Sequence, residues 1–138
     1  MDFSLTPDQQ DLKKLIARIF DERVEPEKLP DYDQGQDWFD RDLWKTLADS
    51  QLLGVALSEE AGGAGLGFEE LCIILEEAGR TLAPVPLVPT LVTAALAIDR
   101  FGAEYRAYFE RHNARQTTPK TMLDTLPRVA LAPGLGLF

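Results

Sequence analysis

Residues 52–80 read LLGVALSEEAGGAGLGFEELCIILEEAGR, and three successive patterns in them decide the fold. The first is a short apolar run in which Val55–Leu57 is too brief to specify a strand. The second is a turn holding Gly62, Gly63, Gly65 and Gly67. The third begins near Phe68, where Phe68, Leu71, Cys72, Leu75 and Ala78 recur at helical spacing and predict one apolar stripe. Glu69 and Glu70 oppose the positive end of that helix's dipole, and Gly79 is the expected terminator.

The glycines invite a phosphate-loop reading, which the neighbouring residues oppose. No Gly-Lys-Ser/Thr follows, and the spacing is G-G-x-G-x-G rather than G-x-G-x-x-G. Glu59, Glu60, Glu69 and Glu70 would repel a phosphate. A tight turn needing positive φ explains the glycines better.

Upstream, Thr6, Pro7 and Gln9 form a helix start with a capping box. Leu12, Leu15, Ile16, Ile19 and Phe20 make the stripe, and Pro26 ends the helix near Val24 or Glu25. Pro26–Gln36 reads as a loop. A second helix is expected over Asp40–Ser50, with Leu43, Trp44 and Leu47 inward and Leu52 joining them. Trp38 and Trp44 are expected in the core, since no basic groove accompanies them as a base-stacking pair would require.

Downstream, Leu82–Ile98 is nearly all apolar, LAPVPLVPTLVTAALAI. Pro84, Pro86 and Pro89 break its first half, which argues against a membrane span. Leu82–Val88 reads as an extended buried link, and Pro89 as the start of a helix that Gly102 stops. A further helix is expected over Glu104–Ala114, with Tyr105, Tyr108, Phe109 and His112 on one side.

The net charge of −9 disfavours nucleic acid as a partner. Cys72, the single cysteine, lies on the predicted stripe and reads as a reduced core thiol. His112 has no second histidine or cysteine at ligand spacing, and the Glu59, Glu60, Glu69, Glu70, Glu76 and Glu77 carboxylates lack the alternation of a Ca²⁺ loop. No metal site is expected, and these acids read as a solvated face. No basic n-region precedes an apolar stretch, so a cytoplasmic location is expected. Residues 1–102 carry 20 acidic and 9 basic side chains and residues 103–138 carry 3 and 5, a shift that suggests a boundary near residue 103.

The string GVALSEEAGGAGLGFEELCIILEEAGR resembles the N-terminal helical domain of the acyl-CoA dehydrogenases, which reads roughly G-L-x-x-x-x-P-E-E-Y-G-G-x-G-L-G before a helix ending E-E-x-G/A. Ser58 stands for the usual proline and Ala61 for the usual aromatic. The resemblance covers about residues 2–103 and no single residue in it is diagnostic. From Ala103 it fails, and Lys120–Asp124 with Pro127–Phe138 instead resembles the K-T-M-L-D-P-x-P-R-V-V-L-V-P-G-L-G-L-F segment of bifunctional class II aldolase/short-chain dehydrogenase proteins. There Arg128–Ala132 would be one strand of a larger sheet.

The expected fold is all-α, a partial helical bundle with an irregular C-terminal tail. Residues 1–103 form the helical domain; residues 104–138 form an unrelated helix and tail, not an independent domain and sharing no core with the first piece. The resemblance implies α,β-dehydrogenation of acyl-CoA thioesters, with a glutamate base taking the α-proton and FAD accepting hydride. The flavin and base domains lie beyond the matched residues, so no catalytic or flavin-binding residue is assigned, and the chain alone is expected to be inactive. Leu82, Pro84, Val85 and Leu87 are placed by segment in the acyl-pocket wall. A non-enzymatic helical module binding through Leu82–Phe101, and a chimeric product without activity, are the competing readings. Self-association through exposed apolar surface is expected in each case.

Overall fold

The computed structural model describes residues 4–34, 38–126, 131–132 and 136–137. Helix α1 (Pro7–Arg23) opens on the expected capping box: Gln9 N donates to Thr6 Oγ1 at 3.2 Å, and Thr6 N donates to Gln9 Oε1 at 3.0 Å. Pro26–Gln36 departs from the loop reading: a 3-10 turn over Pro26–Lys28 runs into helix α2 (Leu29–Gln34), with residues 35–36 outside the described set. Pro26 and Pro30 each sit in a first turn, where a missing N–H costs nothing. Helix α3 (Arg41–Asp49) is capped by Asp40, whose Oδ1 accepts from Leu43 N at 2.8 Å. Helix α4 spans Phe68–Thr81, and a π-helical turn over Val88–Ala94 leads into helix α5 (Ala95–Asn113).

Helices α1 and α4 lie parallel. Gln9 near the start of α1 bonds Glu69 and Glu70 at the start of α4, and Asp21 near its end pairs with Arg80 at the end of α4. Around this pair the core collects Ile16, Ile19 and Phe20 of α1, Leu43 and Leu47 of α3, Leu71, Ile73 and Ile74 of α4, and Leu52, Val55, Leu87 and Leu91. The all-α architecture expected from the sequence is what forms, with a two-residue antiparallel pairing of β1 (Leu131–Ala132) and β2 (Gly136–Leu137) in the tail. The strand expected over Arg128–Ala132 lies partly outside the described residues.

Helix α4 is rotated from its expected register. Leu71, Ile73, Ile74 and Glu77 are buried, Leu75 is half-buried, and Phe68 and Cys72 are exposed, so Cys72 is not a core thiol. Residues 71–75 are apolar without a break, so periodicity alone fits two faces; packing on α1 selects the one carrying Ile74. Glu77 is no member of a solvated face: it is 4% exposed, accepts from Arg80 Nε at 2.6 Å and lies 3.6 Å from Lys13 Nζ. Trp38 is exposed, not in the core; Trp44 is half-buried and meets Phe39 edge-on.

Two expected stops are not used. Helix α4 runs past Gly79 to Thr81 and closes at Leu82, in the left-handed region at φ 54°. Leu82 N donates to Gly79 O and Ala83 N to Ala78 O, the paired bonds of a Schellman motif. Helix α5 runs through Gly102, where the sequence reading ended it, to Asn113. One glycine costs a helix only about 1 kcal/mol against alanine, and Gly102 is buried with Thr125 Oγ1 at 3.6 Å from where its Cβ would stand.

Candidate functional site

The glycine turn cannot cradle a phosphate, because its amides are already committed. Gly63 N donates to Ser58 O, Ala64 N to Gly54 O, Gly65 N to Leu57 O and Leu66 N to Val55 O. Gly62 and Gly65 adopt φ of 85° and 64°, as the turn reading requires. Gly63 is needed for close approach: a Cβ there would stand 2.2 Å from Leu57 O. The turn folds onto itself and presents Ser58 outward, and Ser58 Oγ donates to Asp99 Oδ1 of α5 at 2.8 Å. One helical turn on, Gly102 is buried, and Arg106 pairs with Glu60 of the glycine turn.

This docking leaves an apolar groove of about 240 Å³ between the start of α4, the π turn and α5. Leu66 and Phe68 form one lip, Val92 and Leu96 the other, Leu91 the floor, and Asp99 is the only ionisable lining group among the described residues. Its volume falls below the roughly 300–1,000 Å³ of pockets that enclose drug-sized ligands. The groove alone is therefore too small to enclose such a ligand.

The four residues placed in an acyl-pocket wall fall in different surroundings. Leu82 is exposed at the left-handed cap. Pro84 uses its carbonyl to accept from Asp40 N at 2.8 Å, which ties the link to the start of α3. Val85 is half-buried against the core, and Leu87 is within it at 4% exposure. None of the four lines the groove. The groove residues missed by sequence reasoning, Leu91, Val92 and Leu96, lie on the following turns of the same apolar stretch.

Tyr32 and Glu70 are among the titratable groups displaced by their neighbours. Burial, and then donation to Asp40 Oδ2 at 3.0 Å, raises the Tyr32 hydroxyl above its ordinary value. The Gln9 amide, and then backbone N–H groups including Gly67, hold the Glu70 carboxyl below its ordinary value. Among the described residues no group of three or more His, Cys, Asp or Glu could hold a metal ion, and no helix is long and apolar enough to cross a membrane.

Comparison with known proteins puts this geometry in context. The family described as acyl-CoA dehydrogenase, N-terminal domain, matches residues 6–107, and that described as aldolase class II, second domain, matches residues 87–138. The chain is 40% identical over 103 residues to acyl-CoA dehydrogenase FadE27 of Mycobacterium tuberculosis, covering 75% of this chain and 28% of that protein. It is 36% identical over 80 residues to benzylmalonyl-CoA dehydrogenase of Aromatoleum aromaticum, covering 58% of this chain and 21% of that protein. Among solved structures, a Tcur3481–Tcur3483 steroid ACAD variant aligns with TM-score 0.63 and 48% identity, covering 72% of this chain and 28% of that one. The ChsE4–ChsE5 complex from Mycobacterium tuberculosis aligns with TM-score 0.66 and 40% identity, covering 74% and 28%. The chain thus spans about a quarter of the length of the relatives it matches. With most of its residues in one family match and its helices superposing on solved relatives, the chain belongs to the acyl-CoA dehydrogenase family through its N-terminal domain.

Proposed function

We propose that the chain supplies the N-terminal helical part of an FAD-dependent dehydrogenase of acyl-CoA thioesters and is inactive alone. The observation that carries this is the match over residues 6–107 against relatives more than three times longer. Both relatives are named as dehydrogenases of CoA thioesters, and we carry that substrate class over. Residues 1–103 are the domain, and residues 104–138 do not fold independently.

FAD enters only through the full-length family. Two features support the reading that this chain alone holds no flavin: the amides of the glycine turn are spent internally, and the ionisable group lining the groove among the described residues is a carboxylate, which repels a pyrophosphate. The acyl-wall role stays with Leu82, Pro84, Val85 and Leu87, of which Leu82 is exposed, Pro84 and Val85 are half-buried and Leu87 is in the core.

The purified chain tests the reading. It should emerge from gel filtration without a flavin absorbance band and should not reduce an electron-acceptor dye with acyl-CoA. Retained flavin together with turnover would overturn it. The competing role, a helical interaction module, is favoured by the exposed Leu82, Val88, Leu96 and Phe101. It predicts a stable colourless complex with a partner protein.

A further inference from the structure

Helix α5 has two faces with different fates. Ala95, Asp99, Gly102 and Arg106 turn toward the glycine turn and the tail. About a third of a turn away, Phe101, Tyr105, Tyr108 and His112 follow at spacings of four, three and four, which bring them onto one line about 16 Å long at 1.5 Å per residue. Phe101 and Tyr108 are 43% and 54% exposed, His112 is exposed and Tyr105 half-buried. The rings are ordered in advance: Phe101 stacks on Tyr105 with centroids 6.1 Å apart, and Tyr108 leans on His112 at 4.3 Å. Alternating spacings of four and three are the seam of a two-helix pair.

We propose that this stripe is a self-pairing surface, occupied by α5 of a second copy of the chain running antiparallel. Charge selects the occupant and its direction. Glu104 and Arg111 flank the stripe on one side and, with Phe101, Tyr105 and Tyr108, line an open concavity. In an antiparallel pair, flanks of the same side meet, so Glu104 of each copy faces Arg111 of the other, twice by symmetry. In a parallel pair each flank meets the opposite side, which carries Gly102 and Phe109, so Glu104 keeps only the Arg100 of its own chain, 2.8 Å away, and Arg111 gains no partner from the other copy. The antiparallel register also sets Tyr105 against Tyr108 and Phe101 against His112. The pairing leaves the apolar groove uncovered and needs no flavin, so its outcome is independent of the dehydrogenase reading.

Sedimentation equilibrium of the full chain at about 10–100 µM should show a monomer–dimer equilibrium, as a small interface of this kind gives weak affinity. Glu104→Arg sets like charges opposite each other at both symmetric contacts and should weaken the dimer about 10-fold, as two weak exposed pairs turn from attraction to repulsion. Arg111→Glu should do the same. An equimolar mixture of the two single variants should dimerise at least as tightly as the unaltered chain, because both contacts are again attractive. These side chains are solvent-facing, and the mixture doubles as the folding control. A chain monomeric at 100 µM, single variants that dimerise unchanged, or a mixture that fails to associate would each overturn the proposal. So would a dimer abolished by Leu96→Glu but indifferent to Glu104→Arg, which would place the contact on the groove.

Discussion

Ile74→Ala is the most direct test of the register of α4. Ile74 is fully buried within the core that joins α1, α3 and α4. The substitution removes three carbons, about 0.8 kcal/mol each and about 2.4 kcal/mol together. Partial collapse leaving about 40 Å³ unfilled adds about 1 kcal/mol, for a total near 3.4 kcal/mol. Small domains are stable by about 5–15 kcal/mol, so this is a large fraction of the whole. With a urea slope of about 1–1.5 kcal/mol/M, the midpoint should fall by about 2–3 M. Leu75→Ala, half-buried on the neighbouring face, should cost about half as much. Cys72→Ala, on the exposed side, should change stability by less than about 0.5 kcal/mol. Urea curves followed by circular dichroism decide the matter. If Leu75→Ala or Cys72→Ala costs more than Ile74→Ala, the helix is turned as the stripe Phe68–Leu71–Cys72–Leu75–Ala78 predicts, and the packing described here is wrong.

Leu82→Gly should raise stability by about 1 kcal/mol, because an exposed leucine at φ 54° carries strain that glycine relieves; a loss on calorimetry would refute that origin. Gly63→Ala should destabilise by more than about 2 kcal/mol through its clash with Leu57 O, whereas Gly79→Ala, with open space at its Cβ and a helical backbone, should stabilise by about 0.5–1 kcal/mol. The Glu70 carboxyl titrates below its unfolded value, so its contribution is complete above the unfolded pKa and fades as pH falls through the folded one. Stability measured from pH 6 down to pH 3 should therefore fall less steeply in Glu70→Gln than in the unaltered chain; equal slopes would remove Glu70 as a contributor.

Helix starts were the most legible part of the sequence, because capping is local chemistry. Thr6 with Gln9, and Asp40 with Leu43 N, follow from residues three apart. Helix ends and faces were less legible because distant residues choose them. The stop at Leu82 depends on Schellman bonds to Ala78 and Gly79, which a leucine does not advertise. Burial of Glu77 depends on Lys13 reaching across from α1. Trp38 is exposed although tryptophan is usually buried on average, and nothing in the structure explains its position. The groove lies along an apolar stretch that the sequence marks, but its lining residues are not singled out there. The apolar stretch from Leu82 does border the groove, but the π turn before Ala95 shifts which side chains face it, and proline spacing gives no sign of that shift.

Two family resemblances overlap over residues 87–107, from the π turn into α5, which runs unbroken past the end of the overlap. A helix holds its backbone by bonds four residues apart, whatever the side chains, so unlike sequences can be spliced within it without a loop between them. What such a splice must conserve is residue count. One inserted residue between Asp99 and Arg106 would rotate everything beyond it by about 100°. Arg106 would leave Glu60, and the Phe101 ring would fall out of line with Tyr108. Single-residue insertions along Phe101–Glu104 should thus be far more disruptive than substitutions there, and the helix acts as a counter that keeps its two ends in phase.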